Sequence, residues 1–296
     1  MEKLSLRQRY ANLFKELSQA SRAAAKIDST NVYQPENKET RRYMDILVQE
    51  NLLPESHFEG EENLVDFYDK VCAGKHGLIL MEHYSNTDLP ELLYMLDHSA
   101  NEKLRDLSRR IVAIAGMKLN EEDSVVRAFA ESFSRVVIYP TRSLSKNEQL
   151  AQSEEEAKEE EQRARKINLA AMHAMDDCKK RGEVILVFPA GTRYRPGHPE
   201  TKRGLREIDS YLRLFDIVAL VSINGSLLTI QNEDMLDDLI APAKVVFGAS
   251  PVIECKPFRK EFLASLPQDC PDPKQAMIDH VMELLESQHE RIENQA

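Results

Sequence analysis

The stretch GLILMEHYSNTDLPE, residues 77–91, decides the fold of this chain. Its first five residues form a short apolar run, and the polar residues that follow lead into a helical pattern. A short apolar run followed by a turn and a helix start is typical of a strand buried on both faces of an α/β sheet. The sequence therefore predicts a strand at residues 77–81 and a helix that begins at Asp88.

The same alternation continues toward the C-terminus. Further short runs, mostly β-branched, stand at residues 111–115, 136–139, 184–188, 217–223 and 244–247. Long polar segments separate them, among them the charged segment 147–181, whose acidic run 154–161 indicates a solvated helix face. We therefore predict an α/β fold with a mixed central sheet flanked by helices.

The residues before this pattern differ in character. They show helical patterns in the opening segment, at 38–52 and at 63–73, with a turn-rich linker candidate at 55–62. These patterns predict a small helical domain at residues 1–75 and an α/β domain at 76–296. A terminal amphipathic helix is predicted from residue 272 onward.

The opening segment has two interpretations. Helical spacing gathers an apolar face of Leu6, Tyr10, Leu13, Phe14 and Leu17, and basic residues (Lys3, Arg7, Arg9 and Lys15) lie on the other face. The interpretation we favour is a helix packed on a small bundle. The other is a helix that rests on an anionic membrane surface, where apolar burial and basic charge act together.

Composition excludes several classes of protein. The chain has 296 residues and a mass of 33.9 kDa, and its 39 basic and 50 acidic side chains give a net charge of −11. This balance opposes nucleic acid as the main partner, because phosphate backbones bind basic surfaces. No apolar run reaches the ~18–20 residues of a membrane-spanning helix. With scattered cysteines, no metal-like spacing and no signal-peptide pattern, we expect a cytoplasmic protein without a metal or cofactor.

The first candidate site is the turn from His83 to Asp88. A carboxylate that bonds one imidazole nitrogen fixes the tautomer, and the other nitrogen can then accept a proton from a hydroxyl. Asp88 has a simpler alternative role as a helix N-cap, with Glu91 three residues later completing a capping box. A lone His-x₄-Asp spacing is also common by chance, so this turn alone does not establish catalysis.

The second candidate site is the segment FPAGTRYRPG, residues 188–197, which follows a predicted strand. Its small-residue turn, with Gly191 and Thr192, lets backbone N–H groups approach a ligand closely. Arg193 and Arg195 can both face one anion if the segment is extended. Lys202, Arg203 and Arg206 add to the basic charge downstream, so the segment predicts a phosphate site, with a solvated basic loop as the alternative.

Together, the two sites resemble the His-x₄-Asp and Phe-Pro-Glu-Gly-Thr-Arg blocks of the glycerolipid acyltransferases. Within that superfamily the chain is most similar to the soluble, plastid-type glycerol-3-phosphate acyltransferases. Residues 115–117 and 130–137 resemble that family's middle block, and Arg193-Tyr194-Arg195-Pro196 resembles its Arg-x-Arg-Pro segment. The resemblance extends over about residues 77–225.

The resemblance implies a reaction and roles for individual residues. It implies acyl transfer from acyl carrier protein or coenzyme A to the sn-1 hydroxyl of glycerol 3-phosphate, with His83 as base and Asp88 as its orienting carboxylate. Arg193 and Arg195 would bind the phosphate, with Arg142 near a family lysine of the same cluster. From the basic charge downstream, Lys202 and Arg203 are further candidates for phosphate binding, and Lys202, Arg203 and Arg206 are alternatively a docking face for an acidic carrier protein. An amphiphilic product also implies a peripheral contact with the inner face of the membrane.

The chain departs from the family in three places, one of which is that Ser143 and Leu144 follow Arg142 where the family has a second basic residue. Ala190 replaces the glutamate of the common lyso-lipid motif, and Glu82 stands where many relatives have Asn. Three alternatives stay open: an acyltransferase with a lysophosphatidate or other lyso-lipid acceptor, a non-catalytic lipid- or phosphate-binding protein of the same fold, and an α/β protein whose basic loop binds an acidic partner.

Overall fold

The runs predicted as strands do form strands. The structure is a computed structural model that describes residues 4–121, 124–141, 153–231 and 234–295. Its strands are β1 (Leu4–Ser5), β2 (Tyr33–Gln34), β3 (His57–Glu59), β4 (Gly77–Met81), β5 (Ile111–Gly116), β6 (Arg135–Ile138), β7 (Val184–Val187), β8 (Ile217–Asn224), β9 (Leu228–Thr229), β10 (Leu239–Ile240), β11 (Val246–Ala249) and β12 (Ile253–Glu254).

Helices alternate with these strands, which confirms the predicted mixed α/β class. In the described part of the chain they are α1 (Leu6–Ala20), α2 (Lys38–Asn51), α3 (Glu61–Cys72), α4 (Asp88–Asp97), α5 (Glu102–Arg110), α6 (Lys118–Glu121), α7 (Ser124–Glu131), α8 (Glu154–Lys180), α9 (Ile208–Leu214), α10 (Cys255–Ser265) and α11 (Pro273–Glu293). Among the helices of these residues, none has the length and apolar character needed to cross a bilayer.

The chain divides into two compact units. Of the described residues, the larger unit contains those of Met1–Arg9, Asp45–Ile111 and Gly182–Ala296, and the smaller unit contains Tyr10–Met44 and Val112–Arg181. The segment Asp45–Ile111 thus belongs to one unit, although it includes the predicted domain border at residue 75. The division into residues 1–75 and 76–296 stays a prediction.

The larger unit is built on a mixed sheet that explains the position of the site. Its strands follow the order β7-β4-β8-β11-β3, and β12 also pairs with β8. β4 is parallel to both β7 and β8, whereas β11 is antiparallel to β8. All five residues of β4 are buried, as expected for a central strand covered on both faces. A second, small antiparallel sheet has the order β1-β10-β9.

The smaller unit contains β2, β6 and β5, in which β5 and β6 are parallel and β2 is antiparallel to β6. One cluster of its buried residues draws on both parts of the unit, namely Ile27, Val32, Met117, Val137, Tyr139, Ala164 and Ile167. The segments 115–117 and 130–137 lie in this unit, the first at the end of β5 and the second from the end of α7 into β6. Arg142 lies outside the described residues.

Two local predictions were wrong. Part of the linker candidate at 55–62 is the strand β3, which pairs in parallel with β11, and its three residues His-Phe-Glu are too few to show a strand pattern. Helix α4 is capped by Thr87 and not by Asp88, which is the first helical residue. The capping box does not form because the Asp88 carboxylate bonds the preceding turn.

The opening helix buries its apolar face. Leu6, Tyr10, Phe14 and Leu17 are buried, whereas Arg7, Arg9 and Lys15 are exposed. These four side chains therefore belong to the core, as the packed-helix interpretation predicts.

Candidate active site

The topology of the sheet brings the two predicted sites together. β4 and β7 are neighbouring parallel strands, with Leu78 opposite Ile185 and Leu80 opposite Val187. Their carboxyl ends therefore lie at the same edge of the sheet, where open α/β folds bind ligands. His83 follows β4 and Phe188 follows β7 at this edge.

Two contacts join the segments that follow these strands. The imidazole of His83 stacks on the ring of Phe188, with centroids 3.9 Å apart and planes 16° apart. The backbone N–H of Tyr194 donates to the carbonyl oxygen of His83 at 2.8 Å. These contacts hold the basic segment against the histidine and restrict the orientation of the imidazole.

His83 and Asp88 form the pair that the sequence predicts. His83 Nδ1 lies 2.9 Å from Asp88 Oδ2, and the Asp88 side chain is fully buried. Nδ1 donates to the carboxylate, which leaves Nε2 as the unprotonated nitrogen of the neutral ring. Within the described residues, Nε2 makes no hydrogen bond. The ring can therefore accept a proton from a hydroxyl that reaches Nε2.

The turn before α4 is folded around the Asp88 carboxylate. The N–H groups of Tyr84 and Ser85 donate to it at 2.6 and 2.9 Å, and the Ser85 hydroxyl donates at 2.7 Å. The Ser85 hydroxyl also lies 2.9 Å from that of Thr87. These bonds compensate for burial of the charge, so Asp88 has the fixed position required of an orienting carboxylate.

A second carboxyl group lies beside this pair. Glu91 is fully buried, and the polar groups nearest to its carboxyl are the Thr87 side chain and the Leu227 backbone. Burial, and next the negative charge of Asp88, raise the pKa of Glu91 to about 8. Glu91 is therefore a neutral carboxylic acid at pH 7, and Asp88 carries the negative charge.

The basic segment begins with a tight turn. Gly191 has φ +64°, and its N–H donates to the carbonyl oxygen of Phe188 at 2.9 Å. A positive φ favours glycine because a Cβ atom would strain the backbone. Thr192 follows Gly191 directly, so this turn determines the position of Arg193 at the edge of the sheet.

The four predicted phosphate-binding residues of this segment differ in their surroundings. Arg193 donates from Nη1 to Asp238 Oδ2 at 2.6 Å, and Asp238 is fully buried. Lys202 is bonded to Glu286 and lies over the rings of Tyr84 and Tyr194, at 5.9 and 5.3 Å. Arg195 is partly buried and Arg203 is exposed. Within the described residues, neither of these last two side chains makes an ion pair.

The Arg193–Asp238 pair was not predictable from the local sequence. Asp238 precedes β10 and accepts a second hydrogen bond from the Gln231 N–H at 3.1 Å. Burial raises the pKa of Asp238, while the bond from Gln231 and the charge of Arg193 act in the opposite direction. The buried carboxylate of Asp238 balances the charge of Arg193, whereas the Arg195 side chain has no ion-pair partner among the described residues.

Glu82 also has a role that its sequence position did not reveal. It is buried, and its carboxylate accepts from the Ile223 N–H at 2.8 Å and from the Tyr84 hydroxyl at 2.9 Å. His289 Nδ1, from α11, lies 3.0 Å from the same carboxylate. Glu82, which precedes His83, is thus tied to a residue 207 positions later.

In comparisons with known proteins, no family model matched the chain and no curated protein matched it. The chemistry of the site therefore rests on its own geometry.

Proposed function

We propose that this protein is an acyltransferase that moves a fatty acyl group from an acyl thioester to the sn-1 hydroxyl of glycerol 3-phosphate. The product is 1-acylglycerol 3-phosphate. The observation that carries the proposal is the His83–Asp88 pair with a free Nε2, joined to the segment that bears Arg195 by the bond from Tyr194 N–H to the His83 carbonyl.

The reaction follows from these groups. His83 Nε2 takes the hydroxyl proton as the oxygen attacks the thioester carbonyl, and Asp88 stabilises the imidazolium that forms. The new C–O bond forms, the C–S bond breaks, and the leaving thiolate takes the proton from the imidazolium. Arg195 binds the phosphate and holds the hydroxyl near Nε2, an arrangement worth up to ~7–11 kcal/mol in ideal cases.

The partners follow from the reaction. The donor is an acyl carrier protein or a coenzyme A thioester, and the site needs neither a metal nor a redox cofactor. We place the enzyme in the cytoplasm, with a peripheral contact to the membrane surface where its amphiphilic product is consumed. A lysophosphatidate or other lyso-lipid acceptor is the alternative with the same chemistry.

The test is the release of thiol from an acyl thioester, with and without glycerol 3-phosphate. We expect acceptor-dependent release by the wild type and none by His83→Ala. His98→Ala is the matched control, since His98 is exposed and caps the far end of α4. Thiol release that does not depend on glycerol 3-phosphate would indicate a thioesterase or a different acceptor. No thiol release from either donor would favour a non-catalytic binding protein.

A further inference from the structure

The C-terminal helix α11 places a histidine behind the catalytic turn. His289 Nδ1 lies 3.0 Å from Glu82 Oε2, and the His289 side chain is 18% exposed. The backbone of the helix is fixed there, because the Asn224 amide donates to the His289 carbonyl oxygen at 3.0 Å. The adjacent Gln288 amide donates to the Gly248 carbonyl oxygen at 2.6 Å. His289 is therefore held by contacts on both β8 and β11.

Glu82 needs a positive partner because it is buried. Three groups bond its carboxylate: the Ile223 N–H, the Tyr84 hydroxyl and the His289 ring. A buried carboxylate is costly unless it is paired with a cation as well as hydrogen-bonded. Of these three groups, only the imidazole can carry a positive charge.

The charged groups around His289 favour its protonated form. The hydrogen bond to Glu82 raises the pKa of His289 above its ordinary value of 6.5, and partial burial opposes this rise. Glu286 on the same helix also favours the charged ring, whereas Lys202 on the basic segment disfavours it. Burial and the charge of Glu82 raise the pKa of Tyr84, so its hydroxyl stays a donor.

This cluster continues directly into the His83–Asp88 pair. The Tyr84 hydroxyl bonds Glu82, and the Tyr84 N–H donates to Asp88 Oδ2 at 2.6 Å. Tyr84 also follows His83 in the chain. A displacement of Tyr84 would therefore move both members of the pair.

We propose that protonated His289 is a positioning residue for catalysis: it is the counter-ion of Glu82, it fixes Tyr84 against Asp88, and it neutralises a second carboxylate beside His83. This inference rests on the proposed acyl transfer. It assigns the C-terminal helix a part in the reaction, although α11 lies outside the region of family resemblance.

Two variants separate the hydrogen bond from the charge. His289→Gln keeps a donor for Glu82 and loses the charge, so Glu82 becomes a buried carboxylate without a cationic partner beside the catalytic turn. We expect the acid limb of the kcat/KM profile to move upward by roughly half a pH unit. His289→Phe loses both, and we expect kcat to fall by about 10- to 100-fold as the pair is displaced.

The matched control is on the same helix. His280 stacks on Phe262 at 4.5 Å and lies near Glu283, without contact to the turn at His83. His280→Gln should leave both kcat and the pH profile unchanged. An identical pH profile for His289→Gln and His280→Gln would overturn the positioning role.

A measurement that does not depend on activity tests the ion pair. The chain has eight histidines, and NMR titration of their ring protons follows each imidazole separately. We expect the His289 resonance, assigned by its loss in His289→Gln, to titrate above 6.5 in the wild type and at lower pH in Glu82→Gln. An unchanged titration in Glu82→Gln would refute the counter-ion role. If the wild type transfers no acyl group, the proposed function fails, and the titration still decides whether His289 pairs with Glu82.

Discussion

Asp88 combines full burial with hydrogen bonds from four groups, which makes it the most constrained residue of the site. Asp88→Asn keeps the shape but places an amide where the Tyr84 and Ser85 N–H groups need an acceptor. We expect kcat to fall by ~10²–10⁴-fold, because the imidazole loses its orienting charge. We also expect a destabilisation of about 1–3 kcal/mol. Steady-state kinetics and urea unfolding measure the two effects, and Asp66→Asn, at an exposed position of α3, is the control.

Glu91 predicts a dependence of stability on pH. Its pKa is raised to about 8 in the folded state, against an ordinary value of 4.5. The stabilisation of the protonated acid is therefore fully present below pH 4.5 and is lost as pH rises toward 8. Glu91→Gln removes this titration, so its stability relative to the wild type should improve by on the order of 3 kcal/mol between pH 5 and pH 8. Urea unfolding at several pH values measures this, and parallel curves for the two proteins would contradict it.

At the scale of the element, the two arginines of the segment 188–206 have different expected roles. Arg193 stabilises the fold, and Arg195 binds the anion. Arg193 balances a buried carboxylate, so Arg193→Gln should destabilise the fold by about 3–5 kcal/mol by leaving Asp238 unpaired. Arg195→Gln should raise KM for glycerol 3-phosphate with little change in unfolding free energy. Kinetics and unfolding on both variants decide this. Equal stability losses would show that the two arginines do not differ in role.

The same segment offers a matched pair of glycines. Gly191 and Gly197 have φ values of +64° and +83°, so alanine strains the backbone by about 1–2 kcal/mol at either position. Only at Gly191 does the added Cβ meet a neighbour, 2.5 Å from Leu205 Cδ1. We expect both alanine variants to lose similar stability and Gly191→Ala alone to raise KM for the acceptor. A similar KM for both would mean that the turn does not position the arginines.

At the scale of the whole molecule, the sequence predicts the features that depend on neighbouring residues. It does not predict those that depend on contacts between residues far apart in the chain. The strands β4 and β7 were predictable because each is a short apolar run before a turn. The His83–Asp88 pair was predictable because five residues span one turn. Asp238 and His289 were not, since their partners lie 45 and 207 residues away and neither has a distinctive neighbourhood. Two-residue strands such as β2 are too short for any alternation to appear.

The net negative charge and the positions of the basic residues limit how the protein binds a membrane surface. The apolar face of α1 is buried, so any attraction of this helix to anionic lipid falls to its exposed basic residues Arg7, Arg9 and Lys15. At ~1 kcal/mol for each basic residue near the surface, binding should be weak and lost in high salt. Arg9→Glu/Lys15→Glu should abolish sedimentation with anionic vesicles. Lys256→Glu/Lys260→Glu on α10 should not, although both double variants carry the same net charge of −15 (−11 − 4). Equal loss in both would show that net charge, and not the face of α1, governs the contact.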